Sequence, residues 1–222
     1  MYYYPVFLNL HQRRVVVLGG GKLAREKVEG LLQAGAVVTV IAPQLVAPLQ
    51  ELANAGQIEH TPREYRAGDL ERAFLVISAG LDPDTNARIF AEADARHIPL
   101  NVVDDPGHCS FIAPSILRRG ALTIAISTSG QAPAVAVRLR QQFERQIGDE
   151  YARFLDLTGA LRAPLAARYP DFETRKRVWY ELVDSDVFAL LRAGDESGAR
   201  QRIAEITGIV PQPQLCSPGD EG

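Results

Sequence analysis

The sequence has few cysteines and no long apolar run, and both shortages restrict its class. Its two cysteines, Cys109 and Cys216, lie far apart among 222 residues. Such a pair makes no disulfide framework, so a reducing compartment, the cytoplasm, is expected. No apolar run reaches the roughly 18 residues of a membrane span. The opening residues also lack the basic and apolar regions of a signal peptide. The sequence therefore predicts a protein without a membrane partner.

The chain also lacks an excess of charge of one sign and any metal-ligand spacing. Lys and Arg number 24, Asp and Glu number 27, and the formal net charge is -3. Without an overall basic field, nucleic acid is not an expected partner. The four histidines form no His-Glu-x-x-His motif, and there is no Cys-x-x-Cys, so no metal site is expected.

The first half of the chain alternates between strand and helix patterns. Apolar, β-branched runs predict strands at 14–18, 37–42, 58–61, 73–78 and 100–103. Helical spacing predicts helices between them at 23–34, 45–55 and 84–95. This alternation is typical of a parallel sheet covered by helices.

The second half has a different pattern. Strands are predicted at 110–116 and 122–127, joined by a turn at 118–120. Helices are predicted after them, with breaks at Gly148, Pro170 and Gly194, at 134–147, 150–167, 175–191 and 199–206. The C-terminal third is therefore expected to be mostly helical.

A glycine motif stands between the first predicted strand and the first predicted helix. In Gly19-x-Gly21-x-x-Ala24, Gly19 permits a tight turn, Gly21 lets the backbone approach a pyrophosphate, and Ala24 lets the helix pack closely on the sheet. A purely structural glycine turn is the alternative. The predicted cofactor-binding residues are Gly19, Gly20, Gly21, Lys22, Leu23, Ala24, Ala42 and Pro43.

The acidic residue that usually binds the adenosine ribose is missing from this motif. The second predicted strand ends in Ile41-Ala42-Pro43, with no carboxylate. Either backbone groups near Ala42 and Pro43 contact the ribose, or the cofactor is held differently. NAD is the cofactor we expect, although these residues leave NADP open.

Two further groups of charged residues suggest chemistry. Asp104 and Asp105 follow the strand at 100–103, where doubly wound folds bind ligands, so Asp104 is a candidate general base. A solvated Asp-Pro-Gly turn is the alternative. Arg118, Arg119, Arg138 and Arg140 suit a polycarboxylate ligand, or else form a solvated surface.

Six segments, taken in order, resemble one known family. They are YPVFLNL at 4–10, GGGKLAREK at 19–27, SAGLD at 78–82, NVVD at 101–104, SFIAPS at 110–115 and ISTSGQAP at 126–133. The family is that of the precorrin-2 dehydrogenases, the dehydrogenase module of sirohaem synthases. The resemblance covers roughly residues 1–208.

The resemblance implies NAD-dependent oxidation of precorrin-2 to sirohydrochlorin in a homodimer, with Asp104 as the catalytic residue. Because the substrate is an octacarboxylate macrocycle, substrate contacts are expected from Asn101, Ser127, Thr128, Arg118, Arg119 and Arg138. Some family members also insert ferrous iron into sirohydrochlorin, on which this sequence is silent. The alternative function is a non-catalytic, dinucleotide-sensing regulatory domain, although such a sensor normally needs the missing ribose-binding acid.

The resemblance and the patterns together predict an α/β fold. A Rossmann-type parallel-sheet domain is expected over 1–112, a small dimerisation segment over 113–147 and an α-helical C-terminal domain over 148–208. The Pro- and Gly-rich residues 209–222 predict a disordered tail.

Overall fold

A computed structural model describes residues 3–211, which divide into two units. The first unit holds the described residues up to Ala113 together with Ser129–Gln131. The second holds Pro114–Thr128 and the described residues from 132 onward. The predicted fold class is confirmed, because a parallel sheet with helices forms the first unit and the C-terminal part is helical.

The first unit contains a five-stranded parallel sheet. Its strands are β1 (Arg14–Leu18), β2 (Val37–Ile41), β3 (Glu59–Thr61), β4 (Leu75–Ser78) and β5 (Leu100–Val102). Their spatial order is β3-β2-β1-β4-β5, so the strand order reverses direction between β1 and β4. The helices that connect the strands are α1 (Lys22–Gln33), α2 (Ala47–Asn54) and α3 (Pro83–Ala95). Ligands bind such sheets beyond the carboxyl ends of the strands at this reversal.

The central position of β1 in the sheet explains why its sequence is apolar without alternation. Val15 and Val17 pack with Val28 of α1 on one face of the sheet, while Val16 and Leu18 pack with Ile89 of α3 on the other. Successive side chains of a strand point to opposite faces, and here helices cover both faces. The continuous apolar run therefore marks a central strand.

The second unit combines a hairpin with a helical core. Strands β6 (Ser115–Arg119) and β7 (Leu122–Ile126) pair antiparallel. The helices are α4 (Pro133–Gln146), α5 (Glu150–Gly159), α6 (Arg162–Arg168), α7 (Phe172–Val183), α8 (Val187–Arg192) and α9 (Glu196–Thr207). Fully buried leucine and isoleucine side chains from these helices form the core, among them Leu161, Leu165, Leu182, Leu191 and Ile203.

The predicted strand at 110–116 is wrong in its placement, and β6 begins at Ser115 instead. Ser110 is held at the sheet of the first unit, where its Oγ accepts a hydrogen bond from the Leu100 amide at 2.7 Å and its own amide donates to the Leu100 carbonyl at 2.9 Å. The hairpin therefore forms later in the chain and turns at Gly120. Arg118 and Arg119 lie on β6 rather than in the turn.

Two predicted helices are each divided in the structure. The segment 150–167 forms α5 and α6, and the segment 175–191 falls into α7 and α8. Between α7 and α8, the Ser185 hydroxyl donates to the Leu182 carbonyl at 2.7 Å and accepts from the Val187 amide at 3.3 Å. This local hydrogen bonding competes with helix continuation, while the apolar spacing continues across the break.

The predicted tail lies partly inside the described residues. Ile209 packs against the core of the second unit, and the Pro211 carbonyl accepts a hydrogen bond from Arg200 at 3.1 Å. The chain is therefore packed as far as Pro211, contrary to the predicted start of the tail at 209. The remainder, 212–222, lies outside the described residues.

Candidate functional site

A cavity of about 690 Å³ lies at the carboxyl ends of β1, β2 and β4. Of the eight residues predicted to bind a cofactor, seven line this cavity: Gly19, Gly20, Gly21, Lys22, Leu23, Ala42 and Pro43. The eighth, Ala24, is fully buried beneath it in the first turn of α1. The structure thus places the glycine motif at the position where doubly wound sheets bind ligands.

The three glycines of the turn differ in the space around them. A β-carbon on Gly19 would lie 2.2 Å from the Ala79 carbonyl oxygen, and one on Gly20 would lie 1.9 Å from the Gln44 carbonyl oxygen. A β-carbon on Gly21 would meet nothing within 4 Å. Gly19 and Gly20 therefore let backbone segments pass close together, whereas Gly21 borders open space in the cavity.

The start of α1 can bind an anion. Gly21 is the N-cap and has no side chain to accept hydrogen bonds from the first-turn amides, and no acidic residue stands in that turn. These amides and the positive end of the helix dipole favour a negatively charged group. Lys22 adds a cation at the same place. The residues present therefore fit the pyrophosphate of a dinucleotide.

At the end of β2, no carboxylate is available to bind a ribose. The Ala42 amide donates to the Thr61 carbonyl at 3.2 Å, and the Ala42 carbonyl lies 3.0 Å from His60 Nε2. These bonds tie the end of β2 to β3. The ionisable side chains that line the cavity come from other segments: Lys22, Glu64, Tyr65, Asp82 and Arg88.

Apart from Ala42 and Pro43, the sequence patterns do not indicate the lining residues that lie outside the glycine motif. Asp82 is the N-cap of α3, where its carboxylate accepts from the Thr85 amide at 2.9 Å. This backbone hydrogen bond holds the pKa of Asp82 below its usual range. An Asp before Pro is a recognisable capping signal that could have been used. No local pattern marks Glu64, Tyr65 or Arg88, because the fold alone brings them to the cavity.

Asp104, the predicted catalytic residue, follows β5 on an exposed turn. Its backbone is left-handed, with a φ of 64°, a conformation that non-glycine residues seldom adopt and that asparagine and aspartate tolerate best. It lies at the carboxyl end of the strand next to β4. Asp104 is therefore presented to solvent at the edge of the sheet on which the cavity opens.

Cys109 and Asn101 brace the turn that carries Asp104. The Cys109 sulfur lies 3.1 Å from the Val102 amide and 3.2 Å from the Asp105 carbonyl, and burial raises the pKa of its thiol. Asn101, predicted to contact substrate, is 7% exposed, and its Nδ2 donates to the Phe111 carbonyl at 3.1 Å. The amide of Asn101 thus holds the chain on either side of the turn together.

Asp105 and His108 form an ionisable pair directly after Asp104. Asp105 Oδ2 lies 2.7 Å from His108 Nδ1, and both side chains are about one-third exposed. The His108 ring meets the Phe90 ring edge-on at 5.3 Å between centroids. These contacts fix the short helix Pro106–His108 against α3.

The other predicted substrate residues belong to the second unit. Arg118 and Arg119 lie on β6, and Arg119 Nε donates to the Ile147 carbonyl at 3.1 Å. Arg138 is exposed on α4 and donates to Gln141 at 3.2 Å. Thr128 Oγ1 accepts from the Ala132 amide at 3.2 Å just before α4, and Ser127 precedes it. Arg119 is therefore bound to backbone, whereas Arg138 is held by one exposed side chain.

Within residues 3–211, no group of three or more His, Cys, Asp or Glu side chains is arranged to hold a metal ion. Over the same residues, no helix combines the length and the apolar character needed to cross a membrane.

Three family models match successive parts of the chain. Residues 6–115 match a family described as "Putative NAD(P)-binding", residues 119–146 match the central region of sirohaem biosynthesis proteins, and residues 150–206 match the sirohaem synthase dimerisation region.

Curated relatives carry the same family name. The chain is 36% identical to a siroheme synthase of Photobacterium profundum, over all of this chain and 48% of that protein. It is 40% identical to siroheme synthase 1 of Serratia proteamaculans, over 92% of this chain and 43% of that protein. The chain spans less than half the length of these relatives.

A solved structure shares the fold. The structure of SirC, a precorrin-2 dehydrogenase, superposes with a TM-score of 0.74 at 24% identity, covering 91% of this chain and all of that one. The parallel-sheet and helical architecture of this chain is therefore that of a known fold.

Proposed function

This chain belongs to the sirohaem synthase family, and from that membership we propose that it oxidises precorrin-2 to sirohydrochlorin with NAD as hydride acceptor. The observation that supports this most directly is the cavity over the glycine turn, which seven of the eight residues predicted to bind a cofactor line. Its volume lies within the range of cofactor sites. Asp104 lies at the carboxyl end of β5, in the same unit as that cavity.

In the proposed reaction the macrocycle loses one hydride and one proton. NAD supplies a carbon that accepts the hydride. The amides at the start of α1 and the Lys22 ammonium hold the pyrophosphate, and Gly21 lets the backbone approach it. Asp104 accepts the proton, since a carboxylate presented on an exposed turn can act as a general base. Asn101 and Cys109 are positioning residues that fix this turn.

The macrocycle carries many carboxylates, so its binding calls for cations. We propose Arg138, Arg118 and Arg119 as the residues that bind them, with Ser127 and Thr128 as polar contacts. Asn101, also predicted to contact substrate, is buried and acts instead through the turn that carries Asp104. Arg138→Ala should raise the KM for precorrin-2 several-fold while leaving NAD affinity unchanged. Arg145, also exposed on α4, provides the matched control, because Arg145→Ala removes a cation of the same helix outside the proposed set.

Asp104→Asn is the sharpest test of the catalytic proposal. Asparagine tolerates the left-handed backbone of this position and removes only the charge, whereas alanine would add strain. The variant should retain NAD binding by calorimetry and lose at least a hundredfold in precorrin-2 oxidation, followed by absorbance. Turnover at the wild-type rate would refute the role of Asp104.

The same assay separates the proposed enzyme from a dinucleotide-sensing regulatory domain. The sensor would bind NAD yet form no NADH when precorrin-2 is added at any cofactor concentration. Adding ferrous iron after the oxidation has finished, and following the sirohaem spectrum, tests whether the same chain inserts the metal.

We further propose that the chain acts as a homodimer in the cytoplasm. The sirohaem synthase dimerisation region matches residues 150–206, which follow the segment 113–147 that the sequence predicts for dimerisation. Within 113–147, exposed apolar side chains on β6 and α4 offer contact surface, namely Ile116, Val135, Val137 and Leu139. Light scattering of the purified chain should give twice its 24.3 kDa mass. A monomer at micromolar concentration would overturn this part of the proposal.

A further inference from the structure

A guanidinium lies over an aromatic ring in the cavity assigned to the dinucleotide. The Arg88 guanidinium carbon lies 5.5 Å from the centroid of the Tyr65 ring. Both residues line the cavity. Arg88 projects from α3, and Tyr65 follows β3, so two distant parts of the chain build this contact. The site residues that the glycine motif supplies include neither of them.

Burial and a hydrogen bond to Glu92 hold the Tyr65 ring in place. Tyr65 is 8% exposed, and its hydroxyl donates to Glu92 Oε2 at 2.5 Å. Glu92 also accepts from the Gly68 amide at 3.0 Å and from Arg96 Nε at 3.1 Å. Burial and the hydrogen bond to Glu92 raise the pKa of Tyr65, so its hydroxyl remains a donor at neutral pH. The ring therefore offers Arg88 a fixed surface.

Tyr65 connects this pair to the adenosine end of the cavity, because its ring contacts the guanidinium that Arg88 extends from α3. In dinucleotide-binding sheets the adenosine ribose lies beyond the second strand and the pyrophosphate lies over the first helix. Tyr65 follows β3, which pairs with β2 through Ile41 and Thr61. Asp104 follows β5, on the opposite side of β1. The reactive nicotinamide end therefore belongs near β4 and β5, and the adenosine end near Tyr65.

We propose that Arg88 recognises the adenine ring of the cofactor, with Tyr65 as the residue that positions it. In this arrangement the guanidinium lies between the Tyr65 ring and the adenine ring. This inference rests on the proposed function, because it assigns part of the same cofactor site. A guanidinium is planar and weakly hydrated, so it can lie between two aromatic faces.

Adenine fits this position better than a 2′-phosphate does. Glu64 lines the same cavity, so a phosphate bound there would meet a carboxylate as well as the guanidinium. A neutral aromatic base meets no such repulsion. Stacking by Arg88 would thus supply recognition at the adenosine end, where the usual ribose-binding acid is missing.

Binding of the two halves of the cofactor tests this assignment. Calorimetry on the full chain would measure AMP, nicotinamide mononucleotide, NAD and NADP with wild type, Arg88→Ala and Arg88→Lys. Arg88→Ala should weaken AMP and NAD binding about tenfold and leave nicotinamide mononucleotide unchanged. Arg88→Lys should be nearly as weak, since lysine keeps the charge but lacks the planar face.

Arg13→Ala is the matched control. The Arg13 guanidinium lies 5.3 Å from the centroid of the Phe74 ring, an equivalent contact in the same unit, and Arg13 is not among the cavity-lining residues. Its replacement should change none of the four affinities. Matching thermal unfolding of Arg88→Ala and wild type would show that the variant remains folded.

The outcomes separate the inference from the function it rests on. If wild type binds NAD and Arg88→Ala binds AMP equally well, the adenine assignment is wrong and the proposed function stands. If Arg88→Lys restores AMP binding, or if NADP binds more tightly than NAD, then Arg88 binds a phosphate group through its charge. Either result would refute stacking on adenine. If wild type binds neither NAD nor AMP, both proposals fail.

Discussion

A β-carbon on Gly19 would lie 2.2 Å from the carbonyl oxygen of Ala79, at the end of the neighbouring strand. Gly21, two residues along the same turn, has open space instead. Gly19 also has a φ of 110°, whereas the backbone of Gly21, with a φ of -88°, is extended and suits any residue. Substitutions at these two glycines should therefore affect different properties of the protein.

Gly19→Ala should destabilise the fold. The added methyl group would overlap the Ala79 carbonyl, and alanine would be strained in this backbone conformation. We expect a loss of about 2–4 kcal/mol in the free energy of unfolding, measured by denaturant titration. Gly30→Ala, in α1 with nothing within 4 Å of the new methyl group, is the control and should stabilise by up to about 1 kcal/mol. A Gly19→Ala protein as stable as wild type would contradict the close approach.

Gly21→Asp should leave the fold intact and abolish cofactor binding. Aspartate is a favoured N-cap and suits the positive end of α1, so thermal stability should be unchanged or slightly higher. Its carboxylate would occupy the place proposed for the pyrophosphate, and like charges repel. NAD affinity by calorimetry should fall at least about a hundredfold, roughly 3 kcal/mol. Equal NAD affinity in a folded variant would show that the dinucleotide lies elsewhere.

Glu150→Gln should weaken the second unit at neutral pH. Glu150 is 5% exposed, and its Oε1 accepts from Arg192 at 2.6 Å, which joins α5 to α8. Burial alone would raise the pKa of Glu150, but the Arg192 hydrogen bond and charge outweigh it and lower the pKa. Removing the charge should cost about 1–3 kcal/mol in the free energy of unfolding.

The pH dependence of this effect follows from the lowered pKa. A depressed carboxyl pKa stabilises the folded state above the ordinary glutamate value of about 4.3 and loses that contribution as pH falls below it. Wild type and Glu150→Gln should therefore converge in stability between pH 5 and pH 3. Glu205→Gln, at an exposed pair with Arg202, should differ little from wild type at either pH. A stability difference between wild type and Glu150→Gln that stays constant with pH would refute the stabilising role of the Glu150 charge.

Tyr65→Phe should reduce stability at neutral pH and weaken NAD binding less than Arg88→Ala does. The change removes the hydrogen bond to Glu92, worth about 1 kcal/mol, and keeps the ring on which Arg88 lies. Since the pKa of Tyr65 is raised in the fold, its contribution is complete below the ordinary tyrosine value of about 10 and is lost as pH rises above it.

Denaturant titrations at pH 7.5 and pH 10.5 would test this. The stability gap between wild type and Tyr65→Phe should narrow at the higher pH. Tyr180→Phe serves as the control, because Tyr180 is 60% exposed and its hydroxyl should contribute little. A gap that widens at pH 10.5 would contradict the burial argument.

The parts of the fold that could be predicted depend on neighbours in sequence. Strand β1, the glycine turn and α1 follow directly from one another, so apolar runs and glycines indicate them correctly. The sequence pattern misplaces the hairpin because Ser110 bonds to Leu100, a contact between separate segments. The same pattern puts Arg118 and Arg119 in a turn, although they lie on β6.

The candidate site was predictable to the same extent. The residues of the glycine motif reach the cavity because the motif itself forms the turn. Tyr65 and Arg88 reach it because β3 pairs with β2 and α3 packs beneath the sheet, and no local pattern records those placements. The periodicity of α3 indicates its buried face but not which exposed residue borders the cavity.

The three consecutive glycines should be under different selective constraints. Changes at Gly19 or Gly20 would be removed by the need to fold, whatever the protein binds. A change at Gly21 would be removed only while a dinucleotide must bind. In a lineage that keeps this fold but no longer carries out the redox reaction, Gly21 should therefore be replaced before Gly19 or Gly20. Another residue at this position would then indicate that cofactor binding has been lost.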